Sequence, residues 1–127
     1  MKKQSVLIIE DDKFFRDLVA NKLSKEDFEV LKARDSEEAF AILKRESPSL
    51  IILDLILPGL DGFEVLSLLK KDKKNGGIPV IVLSNLGQKE DIDRAKSLGA
   101  VEFMIKVNFT PDEIVAKVKR ALSERYL

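Results

Sequence analysis

The chain has 127 residues, 45% of them hydrophobic and 35% charged, which describes one folded domain with a heavily charged surface rather than a disordered segment. Its 22 basic and 22 acidic side chains cancel, so it lacks the positive excess that sequence-independent nucleic-acid binding requires, and no direct contact with nucleic acid is expected. The absence of cysteine and histidine removes disulfide scaffolds, thiol catalysis, zinc–thiolate centres, imidazole bases and a phosphohistidine on this chain.

Met1-Lys-Lys-Gln leads directly into an apolar run, without the pattern of a signal peptide, and no apolar run is long enough to span a bilayer. A cytoplasmic protein with no membrane partner is the expectation, with residues 1–127 forming a single domain. Val6-Leu-Ile-Ile9 is a continuous run of four, too short for a helix, and predicts a strand buried on both faces. Phe15, Leu18, Val19 and Leu23 then follow helical spacing and predict the apolar face of the first helix, which Asp12 is placed to open. Phe28-Glu-Val-Leu is a more mixed strand, as expected nearer a sheet edge, and Ala39, Ile42 and Leu43 mark a second helix that Ser47-Pro48 must stop. Leu50-Ile-Ile-Leu53 predicts a third, fully buried strand. Asp61-Gly62 provides the turn that launches a third helix through Val65, Leu66 and Leu69. The basic run Lys70-Lys71-Asp72-Lys73-Lys74 reads as a solvated helix end favoured by the helix dipole. Val80-Ile-Val-Leu83 is a fourth buried strand, Ile92, Ala95 and Leu98 a fourth helix that Gly99 can close, and Val101-Glu-Phe-Met-Ile a fifth strand. Thr110-Pro111-Asp112-Glu113 sets an N-cap hydroxyl, a first-position proline and a capping-box glutamate ahead of Ile114, Val118, Ala121 and Leu122.

The order is βαβαβαβαβα. Strict alternation predicts an α/β fold with a doubly wound five-stranded parallel sheet, helices on both faces, and functional loops at the carboxyl ends of the strands. In the strand order 2-1-3-4-5, the ends of strands one and three are neighbours, which brings Glu10, Asp11 and Asp54 into one cleft flanked by Ser84 and Lys106. Two carboxylates ~4 Å apart repel by roughly 4 kcal/mol at an effective dielectric near 20, so such a cluster must take up a proton or a cation. With oxygen the only ligand type on offer, a hard divalent ion fits, and magnesium fits best because it accepts a few carboxylates together with a substrate phosphate. Asp54, short and fixed at the end of a buried strand, is the candidate nucleophile toward phosphorus. Lys106 and Ser84 supply the positive charge and hydrogen-bond donor that a phosphoryl group needs.

These residues match a family. Glu10-Asp11 after the first strand, Asp54-Leu-Ile-Leu-Pro58-Gly-Leu-Asp61-Gly62, Ile78-Pro79 through Ser84, Gly99-Ala100 and Lys106 resemble the receiver domain of two-component response regulators over essentially the whole chain. The resemblance implies a CheY-like, flavodoxin-like (βα)5 fold in which Asp54 accepts a phosphoryl group from a partner histidine kinase or phosphotransfer protein. It further implies that Asp11, Asp54 and the backbone carbonyl of Ile56 hold magnesium, with Glu10 acting partly through water. Ser84 would bond the phosphoryl group, Lys106 would pair with it, and Phe103 takes the aromatic switch position. The face formed by helix four, strand five and helix five would change shape for a downstream protein target or output domain, and it also suits a homodimer.

The chain departs from the family pattern in three ways, at four positions. Val107 follows Lys106 where receivers commonly carry a proline, so either a trans peptide bond or a strained one is expected there. Asn85 stands where a very small residue is usual and can narrow access to the aspartate or add a hydrogen bond. Ile56 and Leu86 are apolar at the two positions that admit or exclude the hydrolytic water, and are expected to shield an acyl phosphate on Asp54. Two alternatives accompany this reading: a degenerate receiver acting as a phosphorylation-independent interaction module, and an aspartate-nucleophile phosphatase. The latter normally needs a second acid where Ile56 stands.

Overall fold

A computed structural model describes residues 3–125. The strands are β1 (Ser5–Ile9), β2 (Glu29–Ala33), β3 (Leu50–Leu53), β4 (Val80–Ser84) and β5 (Glu102–Ile105). The helices are α1 (Lys13–Lys25), α2 (Ser36–Arg45), α3 (Gly62–Lys71), α4 (Lys89–Ser97) and α5 (Pro111–Arg125), with a 3-10 turn over Lys106–Asn108. All five strands are parallel in the order β2-β1-β3-β4-β5, the expected flavodoxin-like arrangement.

The continuous apolar strands are explained by what each face meets. Alternate side chains of one strand point to opposite faces, so Leu7, Ile9, Ile51, Leu53, Val80 and Val82 pack with residues of α2, α3 and α4. Val6, Ile8, Leu50, Ile52, Ile81, Leu83 and Met104 pack with residues of α1 and α5. Each fully buried Leu or Ile contributes about 1.5–3 kcal/mol by leaving water, and a one-residue slip would exchange the two cores.

The helix boundaries follow their caps. Asp12 accepts from the Phe15 N–H, Asp35 from Glu38 and Asp61 from Glu64. Thr110 and Glu113 exchange the two hydrogen bonds of a capping box. Gly99 follows α4 with a φ of 110°, a left-handed conformation that glycine takes without Cβ strain. The edges differ from expectation by one residue: Phe28 and Val101 precede β2 and β5 rather than opening them. Leu18, expected on the apolar face of α1, is exposed, because Val19, Ala20 and Leu23 are enough to cover the sheet there.

The basic run at the end of α3 is more than a solvated helix end. Lys70 donates to the Ile78 carbonyl at 2.7 Å, and Lys74 reaches across to the Leu43 carbonyl at 2.8 Å in the last turn of α2. These ammonium groups satisfy carbonyls that the helix and loop ends leave open. No helix among the described residues is long and apolar enough to cross a membrane.

Candidate functional site

The site lies where β1 and β3 end side by side. Ile9 pairs with Leu53, and the Asp54 N–H donates to the Ile9 carbonyl at 3.0 Å, which sets Glu10 beside Asp54. Glu10 and Asp54 are 3% and 4% exposed, whereas Asp11 is open to solvent. One carboxylate oxygen from each of Glu10, Asp11 and Asp54 lies within 4.8 Å of the others. The three acids expected to converge are therefore together. An all-oxygen donor set of this size fits a hard divalent cation such as magnesium.

Lys106, leaving β5, enters the cluster as its internal cation. Its Nζ lies 2.5 Å from Glu10 Oε1 and 2.8 Å from Asp54 Oδ2. Burial works against the ammonium, but hydrogen bonds from it to Asp54 and Glu10 outweigh burial and hold its pKa above the usual lysine value. The peptide bond to Val107 is trans, as are all those among the described residues. At Glu10 the balance falls to burial instead. Burial, with the Asp54 charge adding to it, pushes its carboxyl up to about 7, despite opposing hydrogen bonds from Lys106 and the Asp12 N–H.

That shift has a measurable consequence. Between the unfolded value of 4.5 and the folded value of about 7, the folded chain binds more protons at Glu10 than the unfolded one, so stability falls as pH rises through that window. In the presence of a chelator, stability is expected to drop by about 2 kcal/mol between pH 5.5 and pH 8. Because the chain has no histidine, this slope belongs to Glu10, and Glu10→Gln flattens it in thermal or urea unfolding.

Asp54 is held from several sides. Its Oδ1 accepts from the Ile56 N–H at 3.1 Å while Oδ2 takes the Lys106 ammonium. Behind it, the Gly62 N–H donates to the Leu55 carbonyl at 2.8 Å. A Cβ on Gly62 would stand 2.6 Å from the Asp54 carbonyl oxygen, so α3 can begin this close to the aspartate only with glycine there. The Asp61-Gly62 pair thus does more than make a turn. Asp61 caps α3, and Gly62 lets that helix buttress the aspartate.

The remaining expected residues lie along β4 and β5. Ser84 ends β4 fully buried, in register with Ile105, and its Oγ accepts from the Leu86 N–H at a long 3.5 Å. Asn85 is exposed and Leu86 half-buried, packed against the core on the α2–α4 face. Phe103 is half-buried against the same core. Ile56 is 54% exposed at the rim.

Two residues escaped the sequence reading. The Phe15 ring lies under the Lys106 ammonium, 4.8 Å from ring centroid to Nζ. Arg16 donates from Nη1 to the Glu10 backbone carbonyl at 2.8 Å. Helical spacing places Phe15 only on the apolar face of α1, and one arginine in a chain 35% charged carries no signal.

Comparison with known proteins gives one consistent answer. Residues 6–119 match the response regulator receiver domain family. The phosphate regulon transcriptional regulatory protein PhoB of Pseudomonas aeruginosa is 33% identical over 119 residues, covering 94% of this chain and 52% of that protein. The DNA-binding dual master transcriptional regulator RpaA of Synechocystis is 37% identical over 117 residues, covering 92% of this chain and 48% of that protein. The chain thus spans about half the length of the curated relatives it matches. Among solved structures, the CheY-like receiver domain protein of Methanospirillum hungatei superposes with a TM-score of 0.91 at 26% identity, over 98% of each chain. The phosphorylated cyanobacterial phytochrome response regulator RcpA superposes with a TM-score of 0.76 at 34% identity, over 83% of this chain and 81% of that one.

Proposed function

This chain belongs to the response regulator receiver domain family, and on that premise we propose that it is a phosphorylation-controlled switch in which Asp54 accepts a phosphoryl group from the phosphohistidine of a partner kinase or phosphotransfer protein. The observation that carries the proposal is the buried Asp54 carboxylate, with the Lys106 ammonium 2.8 Å from one oxygen and the Ile56 N–H 3.1 Å from the other. An Asp54 oxygen forms the new bond to phosphorus as the phosphorus–nitrogen bond of the donor breaks. The bond's electron pair leaves with the imidazole ring, which recovers a proton from solvent. A bound magnesium ion would supply the positive charge that lets an anionic phosphoryl group approach three carboxylates. Glu10, Asp11, Asp54 and the Ile56 carbonyl would hold it.

The protein's own groups do the rest. Lys106 is already aimed at Asp54 and can follow the charge onto the phosphoryl oxygens. Ser84 is fully buried and its Oγ accepts from the Leu86 N–H, so a turn of its hydroxyl toward a phosphoryl oxygen would carry the loop after β4 with it. That movement draws on the least anchored helix. Ala95 is the buried residue of α4, and the cap residue Gln88 makes no side-chain hydrogen bond. Phe103 then packs inward behind Ser84, and the α4–β5–α5 face changes for its reader.

A donor protein must cover the rim of the site to bring phosphorus to Asp54. Val107, next to Lys106 and 79% exposed, and Ile56, two residues past Asp54 and 54% exposed, offer apolar contact area for it. The relatives are named as transcriptional regulators. We read this chain as the switch to which an output region or a separate protein target responds, with no contact of its own to nucleic acid. The test is incubation with magnesium and a small acyl phosphate, followed by intact-mass analysis. One added phosphoryl group is expected, and a chelator prevents it.

The lifetime of the product supplies a second expected result. Ile56 and Leu86 present no polar group to orient an attacking water, so the acyl phosphate decays slowly. Ile56→Asn and Leu86→Glu each accelerate decay in a time course of the phosphorylated mass. Unchanged or slower decay in both variants removes the shielding role.

A further inference from the structure

We propose that Arg16 is a positioning residue for the metal-binding carboxylates, acting through the Glu10 backbone carbonyl. The inference rests on the reading of Glu10, Asp11 and Asp54 as a divalent-cation site. Ile9 is the last paired residue of β1, so the Glu10 carbonyl lies beyond the ladder and receives its hydrogen bond from a side chain, Arg16 Nη1, at 2.8 Å. That carbonyl belongs to the planar peptide unit joining Glu10 to Asp11, so holding it fixes ψ of the first residue and φ of the second.

The two ends of the turn are therefore tied to the same helix. On the far side of Asp11, Asp12 caps α1 through the Phe15 N–H, and its carbonyl accepts from the Arg16 N–H at 2.9 Å. The Asp12 N–H in turn donates to Glu10 Oε2 at 3.1 Å. Asp11 is exposed and gains no burial to orient it; its direction comes from the turn that Arg16 and Asp12 clamp. The bond from Arg16 is charge-assisted, and the half-buried guanidinium makes it stronger than an ordinary turn hydrogen bond.

Charge and positioning predict opposite outcomes when Arg16 is removed. A cation beside a divalent-ion site repels the ion, so loss of its charge alone tightens binding. Loss of the clamp lets the Glu10–Asp11 peptide turn, and groups that orient ligands in this way are typically worth about 10-fold or more in metal affinity.

The experiment is calorimetric titration of the full chain with magnesium chloride for the parent, Arg16→Ala and Arg16→Lys, with thermal unfolding of each in chelator. Arg16→Ala is expected to bind about 10-fold more weakly, and Arg16→Lys, which keeps a charged donor, to recover most of the loss. Equal or tighter binding by Arg16→Ala overturns the positioning role and leaves the metal reading standing, as does a lowered melting temperature with unchanged affinity. Failure of the parent chain to bind magnesium overturns the metal reading and this role with it.

Discussion

Asp54→Asn is expected to abolish phosphoryl uptake from a small acyl phosphate while leaving the fold intact. The amide is nearly isosteric with the carboxylate and its oxygen can keep the Ile56 N–H bond, so the end of β3 retains its local support. What disappears is the anionic oxygen able to attack phosphorus. Removing one of three clustered carboxylates also relieves repulsion on Glu10, whose carboxyl returns toward its ordinary range. The variant should therefore melt no lower than the parent at pH 8 in chelator, and its intact mass should stay unchanged where the parent gains one phosphoryl group. Uptake by Asp54→Asn at the parent's level would place the acceptor elsewhere.

The second large effect falls on Lys106. Lys106→Met removes the ammonium that touches both Glu10 and Asp54, and leaves two buried carboxylates facing each other. Removing one partner from a buried ion pair costs about 3–5 kcal/mol when the charge left behind stays uncompensated. Here a partial remedy exists, because Glu10 can take up a proton. The loss in chelator should be largest at pH 8 and should shrink toward pH 6, where Glu10 is mostly neutral. A divalent cation is the other remedy, so adding magnesium should raise the melting temperature of Lys106→Met by more than it raises the parent's. Phosphoryl uptake should also slow, since the group that follows the charge onto phosphorus is gone. Urea unfolding at the two pH values, with and without magnesium, measures all but the last of these. A variant as stable as the parent at pH 8 would contradict the internal-cation role.

Much of this was legible in the chain because both sheet faces are covered. Val6–Ile9, Leu50–Leu53 and Val80–Leu83 had no polar interruption to blur their limits, and their last residues pointed straight to Glu10, Asp54 and Ser84. The mixed strands were harder to delimit. Phe28 and Val101 are apolar residues of the approach rather than the ladder, and hydrophobicity does not distinguish the two. Leu18 shows the corresponding limit for helices, since helical spacing marks a stripe but not how wide a stripe the sheet requires.

Contacts among three or more separated groups were not legible. Nothing in the order of residues says that Lys106 reaches past Asp54 to Glu10. Nor does it say that Lys74 caps the end of α2, or that Arg16 turns back onto the strand before it. Each depends on side-chain reach across a gap that only the assembled fold defines. The acids themselves were readable for the opposite reason: a strand end has one location in a doubly wound sheet, and the strand order makes it a neighbour of another.

Covalent trapping tests the central claim most directly. Borohydride reduction of the phosphorylated protein cleaves an aspartyl phosphate and leaves homoserine in its place, which peptide mass mapping locates. Homoserine at position 54 alone, formed only when magnesium is supplied, is the predicted result. Homoserine at another aspartate, or its formation at 54 with the divalent cation chelated, would contradict the account.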